Sequence, residues 1–194
     1  MEFVEHALTW NRLRKQGVVA AEDVPSELRI DLDDSSAVVT FDIAAHDHPQ
    51  AASLAPGIRR VARREFGPIV EGIVHKLKLP ETVVIPVGTW RDVFEAVAKP
   101  MSSHAQWRAI DAAATVELNT RDPLLFGPEH HHLLRDLVDA LSAGERAAQG
   151  IAVVGVDMRI VIEVLPVGQM IVFAGDDHLA HPVRAVIEHH SAPR

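Results

Sequence analysis

The chain has 194 residues, 47% of them hydrophobic and 24% charged, which is enough to build a sizeable core without covalent cross-links. It contains no cysteine, and this excludes disulfides, thiolate catalysis and every cysteine-based zinc or iron–sulfur site. A formal charge of −8 argues against non-specific nucleic-acid binding, which depends on neutralising phosphates.

Residues 2–16 are expected to form an amphipathic helix, with Phe3, Val4, Ala7, Leu8 and Trp10 at helical spacing and Gly17 as the C-terminal cap. Glu2, Glu5 and His6 are wrong for a secretory signal, so a soluble, cytoplasmic protein is expected. Strands Leu28–Leu32 and Ala37–Ile43, joined by the turn-forming Asp33-Asp34-Ser35-Ser36, read as a hairpin. Two helices follow, about 51–65 and 68–79. The second carries Ile69, Val70, Ile73, Val74 and Leu77 on one stripe and stops at Pro80.

Thr82–Val87 reads as a buried strand that passes through Gly88 into a helix over 90–98. Thr89 with Asp92 resembles a capping box that uses the shorter acid. A further helix over about 104–117 has Ser102 or Ser103 as its cap. The helix at 128–143 is the clearest, with Pro128 at its first position and Leu133, Leu134, Leu137, Val138 and Leu141 as an apolar stripe.

The composition then changes. Ile151–Val156, Arg159–Leu165 and Met170–Ala174 are rich in β-branched residues, and Pro166-Val167-Gly168 suits a three-residue hairpin loop with glycine in the left-handed region. A last helix is expected over about 179–190, with Pro182 marking its start. Asp157, Arg159 and Glu163 interrupt the most apolar stretch, so no membrane span of about 18 apolar residues exists. The order of elements predicts one α+β domain over 1–194. Its sheet is mixed or antiparallel, with a C-terminal β-hairpin packed by several helices.

Ile160, Val161 and Ile162 are consecutive, as are Ile171, Val172 and Phe173, so these strands should be covered on both faces by helices or by a second subunit. A homo-oligomer is therefore the expected state. Twelve histidines make the charge pH-sensitive: full protonation would carry it from −8 to +4.

His46 and His48 form an H-x-H pair just past a strand end, able to clasp one ion from an extended backbone. Asp176, Asp177, His178 and His181 form a second group after the last strand. If the two loops left one edge of the sheet together, the groups would supply three or four ligands for zinc or manganese. Such a site would lower the pKa of bound water and make a divalent-metal-dependent hydrolase. The run His130-His131-His132 cannot chelate one ion, because successive helical side chains diverge by about 100°. His132, Asp136 and Asp139 share a face, more in keeping with an exposed polar surface than a site. Arg59, Arg60, Arg63 and Arg64, read as helical, would form a patch for a small anion. No motif assigns a catalytic residue or a bound organic cofactor. The leading reading is a non-catalytic binding or assembly protein, with the metal hydrolase as the alternative.

Overall fold

The computed structural model describes residues 1–24, 27–33, 37–48, 57–114, 121–144 and 149–191, without the side chains of 21–24 and 27. The strands are β1 (Glu2–Phe3), β2 (Val18–Val24), β3 (Glu27–Leu32), β4 (Val39–Ala45), β5 (Arg59–Val61), β6 (Thr82–Pro86), β7 (Leu124–Phe126), β8 (Ile151–Gly155), β9 (Ile160–Leu165) and β10 (Gln169–Ala174). The helices are α1 (His6–Lys15), α2 (Phe66–Leu77), α3 (Trp90–Val97), α4 (Ala105–Ala113), α5 (His131–Ser142) and α6 (Asp177–Ser191). None of these is long and apolar enough to cross a membrane.

Eight strands form one mixed sheet in the order β1-β7-β6-β8-β9-β10-β4-β5, antiparallel except for the β4–β5 pair. The β9–β10 hairpin lies near its middle, and Gly168 turns it at φ 86, as the Pro-Val-Gly loop requires. The β-branched segments therefore occupy the centre, where both faces are buried.

On one face α2 lies between α5 and α6. Its Phe66, Ile69, Val70, Ile73 and Val74 join the leucine stripe of α5, Val183 and Ile187 of α6, and Ile160, Ile162 and Val164 of β9 in one core. A Cβ at Gly72 would stand 2.9 Å from Val186 Cγ1, so glycine is what lets α2 and α6 approach this closely. The capping box of α3 is complete: the Thr89 amide donates to Asp92 Oδ2 at 3.0 Å, and the Asp92 amide donates to Thr89 Oγ1 at 3.3 Å. Trp90 is wholly buried at the start of this helix, edge-on to Phe3 and with its indole N–H donating to the Asp122 carbonyl at 2.6 Å.

The other face is covered by α1 and a separate two-stranded sheet, β2–β3. Trp10, Leu13, Val18, Leu28, Ile30 and Leu32 pack there on Val83, Ile85, Ala152, Val154, Val161 and Phe173. Glu163 points the same way at 4% exposure, and its Oε1 accepts from the Ile30 amide at 2.8 Å. A carboxylate in mid-strand thus ties the hairpin to the sheet. Arg12 of α1 and Gln16 just after it bond to Asp157 in the β8–β9 turn. Because that contact is exposed, it positions α1 more than it stabilises it.

The structure departs from the sequence expectations at five places. The helix expected over 2–16 spans only His6–Lys15, because Glu2 and Phe3 pair with β7 as an edge strand. Residues 28–32 and 37–43 do not pair with each other: β3 pairs with β2, while β4 crosses into the main sheet beside β10. Of the helix expected over 51–65, residues 51–56 lie outside the described residues, 59–61 form a strand and Arg63–Glu65 a 3-10 turn. The helix after Met101 begins at Ala105, with His104 as its N-terminal flank, and Ser102 instead donates its hydroxyl to the Lys99 carbonyl at 2.7 Å. The last helix begins at Asp177 rather than Pro182, because Asp176 Oδ1 accepts from the Leu179 amide at 2.9 Å and caps the turn. The proline then removes only the bond to the carbonyl of His178, an exposed residue.

The apolar strands are thus covered on both faces within one chain, by three helices on one side and by α1 with the β2–β3 sheet on the other. This removes the physical reason for expecting a second subunit against them.

Candidate functional site: an open strand edge beside α6

The register of the β4–β10 pair decides where the expected metal ligands lie. Ala44 faces Gln169 at one end and Val39 faces Ala174 at the other. His46 and His48 therefore follow one end of this ladder, whereas Asp176, Asp177, His178 and His181 follow the opposite end. The five intervening steps separate them by about 17 Å. The shared cleft on which the hydrolase reading rested is not formed. His46 donates its amide to the Val61 carbonyl of β5, continuing that ladder, and His48 donates its amide to the Ala45 carbonyl in a local turn. Asp177, His178 and His181 stand exposed on the first turns of α6. Among the described residues, no three His, Asp or Glu side chains are placed to hold a metal ion.

The four arginines diverge for a related reason: their backbone is a strand and a 3-10 turn, not a helix. Arg63 is consumed by the fold, with Nη1 donating to the carbonyls of Ser142 (2.8 Å) and Pro166 (2.7 Å) and Nε donating to Asp47 (3.1 Å). Arg64 lies 3.7 Å from Glu65 and Arg59 lies 3.6 Å from Glu188. Among the described residues these arginines do not converge on one anion pocket.

A histidine that the sequence reading passed over is the buried one. His131 is 6% exposed, and its Nε2 has no hydrogen-bond partner among the described residues. It lies one turn before Leu134, continuing the stripe 131, 134, 138 and 141, and this spacing was visible in the sequence. Burial pushes the imidazole pKa below its ordinary value, and repulsion from His75 and His130 adds to this while Glu129 opposes it. The unfolded chain therefore takes up a proton that the folded chain resists. The neutral imidazole's contribution is complete above about pH 6.5 and is lost as the pH falls below that value. Urea unfolding at pH 7.5 and 5.5 is expected to show a larger loss of stability for the wild type than for His131→Leu. Equal losses would assign the effect to other groups.

A second cavity, of about 410 Å³, is lined by His104, Asp136 and Asp139, but the fold already uses these groups. Asp136 lies 3.6 Å from His104. Asp139 Oδ1 accepts from the Gly67 amide at 3.1 Å, so it holds the first turn of α2 from α5. Burial pushes the Asp139 carboxyl above the usual carboxylate range, while the Gly67 amide pulls it back.

The remaining feature is the outer edge of β4. Its partner β10 spans Val39 to Ala44, but β5 pairs only with Ile43, Ala44 and Ala45. Ala45 donates to Gly168 on the β10 side, and His46 donates to Val61 on the β5 side. Alternation along the strand therefore turns the backbone groups of Thr40 and Asp42 away from β10. No described strand pairs with Val39–Asp42 on that side. Beside this edge lies a groove of about 360 Å³, bounded by Phe41, Ile58, Arg59, Arg184, Ile187 and Glu188. The Arg184 guanidinium lies over the Phe41 ring, 5.7 Å from its centroid.

Comparison of the chain with family models, with curated proteins and with solved structures gives no match, so the reading of this groove rests on its geometry alone.

Proposed function

We propose that the protein is a non-catalytic recognition module that binds another polypeptide by strand addition, with an extended segment laid along β4 beside α6. The observation that carries this reading is the ladder edge at Val39–Asp42, which no described strand pairs on its outer side, set against a groove with apolar and charged walls. An unpaired edge offers main-chain donors and acceptors to any extended chain, and adjacent side-chain pockets then supply selectivity. Natural sheets usually protect such edges by shortness, charge or cover. The far edge follows this rule, with the two-residue β1 as its border. On β4 the stretch without a described outer partner is longer, four residues of a seven-residue strand, with Asp42 as its charged side chain.

Selection from a displayed library of random dodecapeptides, on the wild type and on Thr40→Pro in parallel, tests the proposal. Proline removes the Thr40 amide and obstructs a ladder, yet it is tolerated in an edge strand. Peptides enriched on the wild type should bind the variant at least tenfold more weakly while the melting temperature changes little. Failure to enrich any peptide, or equal binding to both proteins, would overturn the proposal.

A further inference from the structure

The chemistry of the walls points to the kind of strand that fits, and this inference rests on the strand-addition reading above. Alternate residues of β4 face opposite sides of the sheet. Val39 and Phe41 face the helical side and pack against its core, whereas Thr40 and Asp42 are exposed on the other side. Each side carries one charge that the fold leaves uncompensated. On the helical side, Arg184 is held over Phe41, and among the described residues no carboxylate lies within ion-pairing distance of it. On the other side the same holds for Asp42. Arg59 and Glu188, which also line the groove, already neutralise each other at 3.6 Å.

We infer that the groove takes an amphipathic extended segment with apolar and acidic side chains facing α6 and basic side chains on the opposite face. The apolar residues would enter beside Phe41, Ile58 and Ile187, with the acid under Arg184 and a base across from Asp42. Opposite charges across neighbouring strands are favourable and like charges unfavourable, so the pattern selects sequence as well as face. The same reasoning disfavours a second copy of this chain. Two β4 edges joined antiparallel about a two-fold axis normal to the sheet keep like faces together. Both Arg184 side chains then fall on one side of the joint sheet and both Asp42 side chains on the other.

The probes are two labelled peptides with the cores Val-Lys-Glu-Lys-Val and Val-Glu-Lys-Glu-Val, whose valines fix which face meets Phe41. The wild type should bind the first at least tenfold more tightly by fluorescence anisotropy. The double variant Asp42→Lys, Arg184→Glu should reverse that preference, and because it leaves the net charge unchanged, the reversal reports local pairing. Equal affinity for both peptides, with both still weakened by Thr40→Pro, would overturn the charge assignment and leave strand addition standing. Absence of any Thr40-dependent binding would overturn both. Sedimentation showing a wild-type dimer that Thr40→Pro dissociates would identify the occupant as a second copy and overturn the inference.

Discussion

Truncation of Trp90 to alanine is expected to cost about 3–5 kcal/mol, the largest single loss among the substitutions considered. The indole is wholly buried and joins three parts of the chain: Phe3 of β1, Phe94 one turn along α3, and the Asp122 carbonyl before β7. Removing it leaves a cavity as well as an unmatched carbonyl, so transfer and cavity terms add. For a chain of this size each kcal/mol lowers the melting temperature by about 2–4 °C, which gives a fall of the order of 10 °C. Calorimetry measures this directly. A fall of only one or two degrees would mean that the surrounding side chains collapse into the space.

The second large effect is expected at Glu163, and it should be local. Glu163→Ala leaves the Ile30 amide without its carboxylate acceptor, at a cost of about 2–3 kcal/mol for an unsatisfied buried donor. Against this stands the relief of no longer burying a carboxylate. The amide loss is expected to prevail because Ile30 is wholly buried between the two sheets. Glu163→Gln retains an oxygen acceptor and is expected to lose less than half as much. Hydrogen exchange followed by mass spectrometry should show β2 and β3 losing protection in the alanine variant while β8, β9 and β10 keep theirs. Uniform loss across both sheets would show that the hairpin and the main sheet open as one unit.

The elements legible in the sequence were those with long, strong patterns. The leucine stripe of α5, the Thr89–Asp92 cap and the Pro-Val-Gly turn each encode their geometry in side chains close together in sequence. The unread elements are short or locally ambiguous. Two- and three-residue strands such as β1, β5 and β7 contain too few positions for alternation to show. β2 carries Ala20, Ala21, Glu22 and Asp23, residue types depleted in strands, and forms because β3 and the sheet beneath it supply the partners. The pairing of β4 with β10 links residues about 130 positions apart, and no local signal specifies it. That pairing separates the two histidine groups, so the shared cleft is missing for reasons of topology rather than of ligand chemistry. The groove was hidden for the same cause: its walls come from residues 40–42, 57–59 and 184–188, which only the folded sheet brings together.

The cover formed by α1 and the β2–β3 sheet also has a consequence for the order in which the protein can assemble. These residues are synthesised before β8, β9 and β10, on which much of the surface they bury lies, roughly 120 residues further along. The earlier segment must therefore wait, with Trp10, Leu13 and Ile30 unsheltered, until β10 has been made. The closing strands, by contrast, pair with near neighbours through short turns and need no such delay. Synthesis runs from the amino end, so the platform is laid down after the segment that rests on it, and that segment stays exposed on the nascent chain in the meantime.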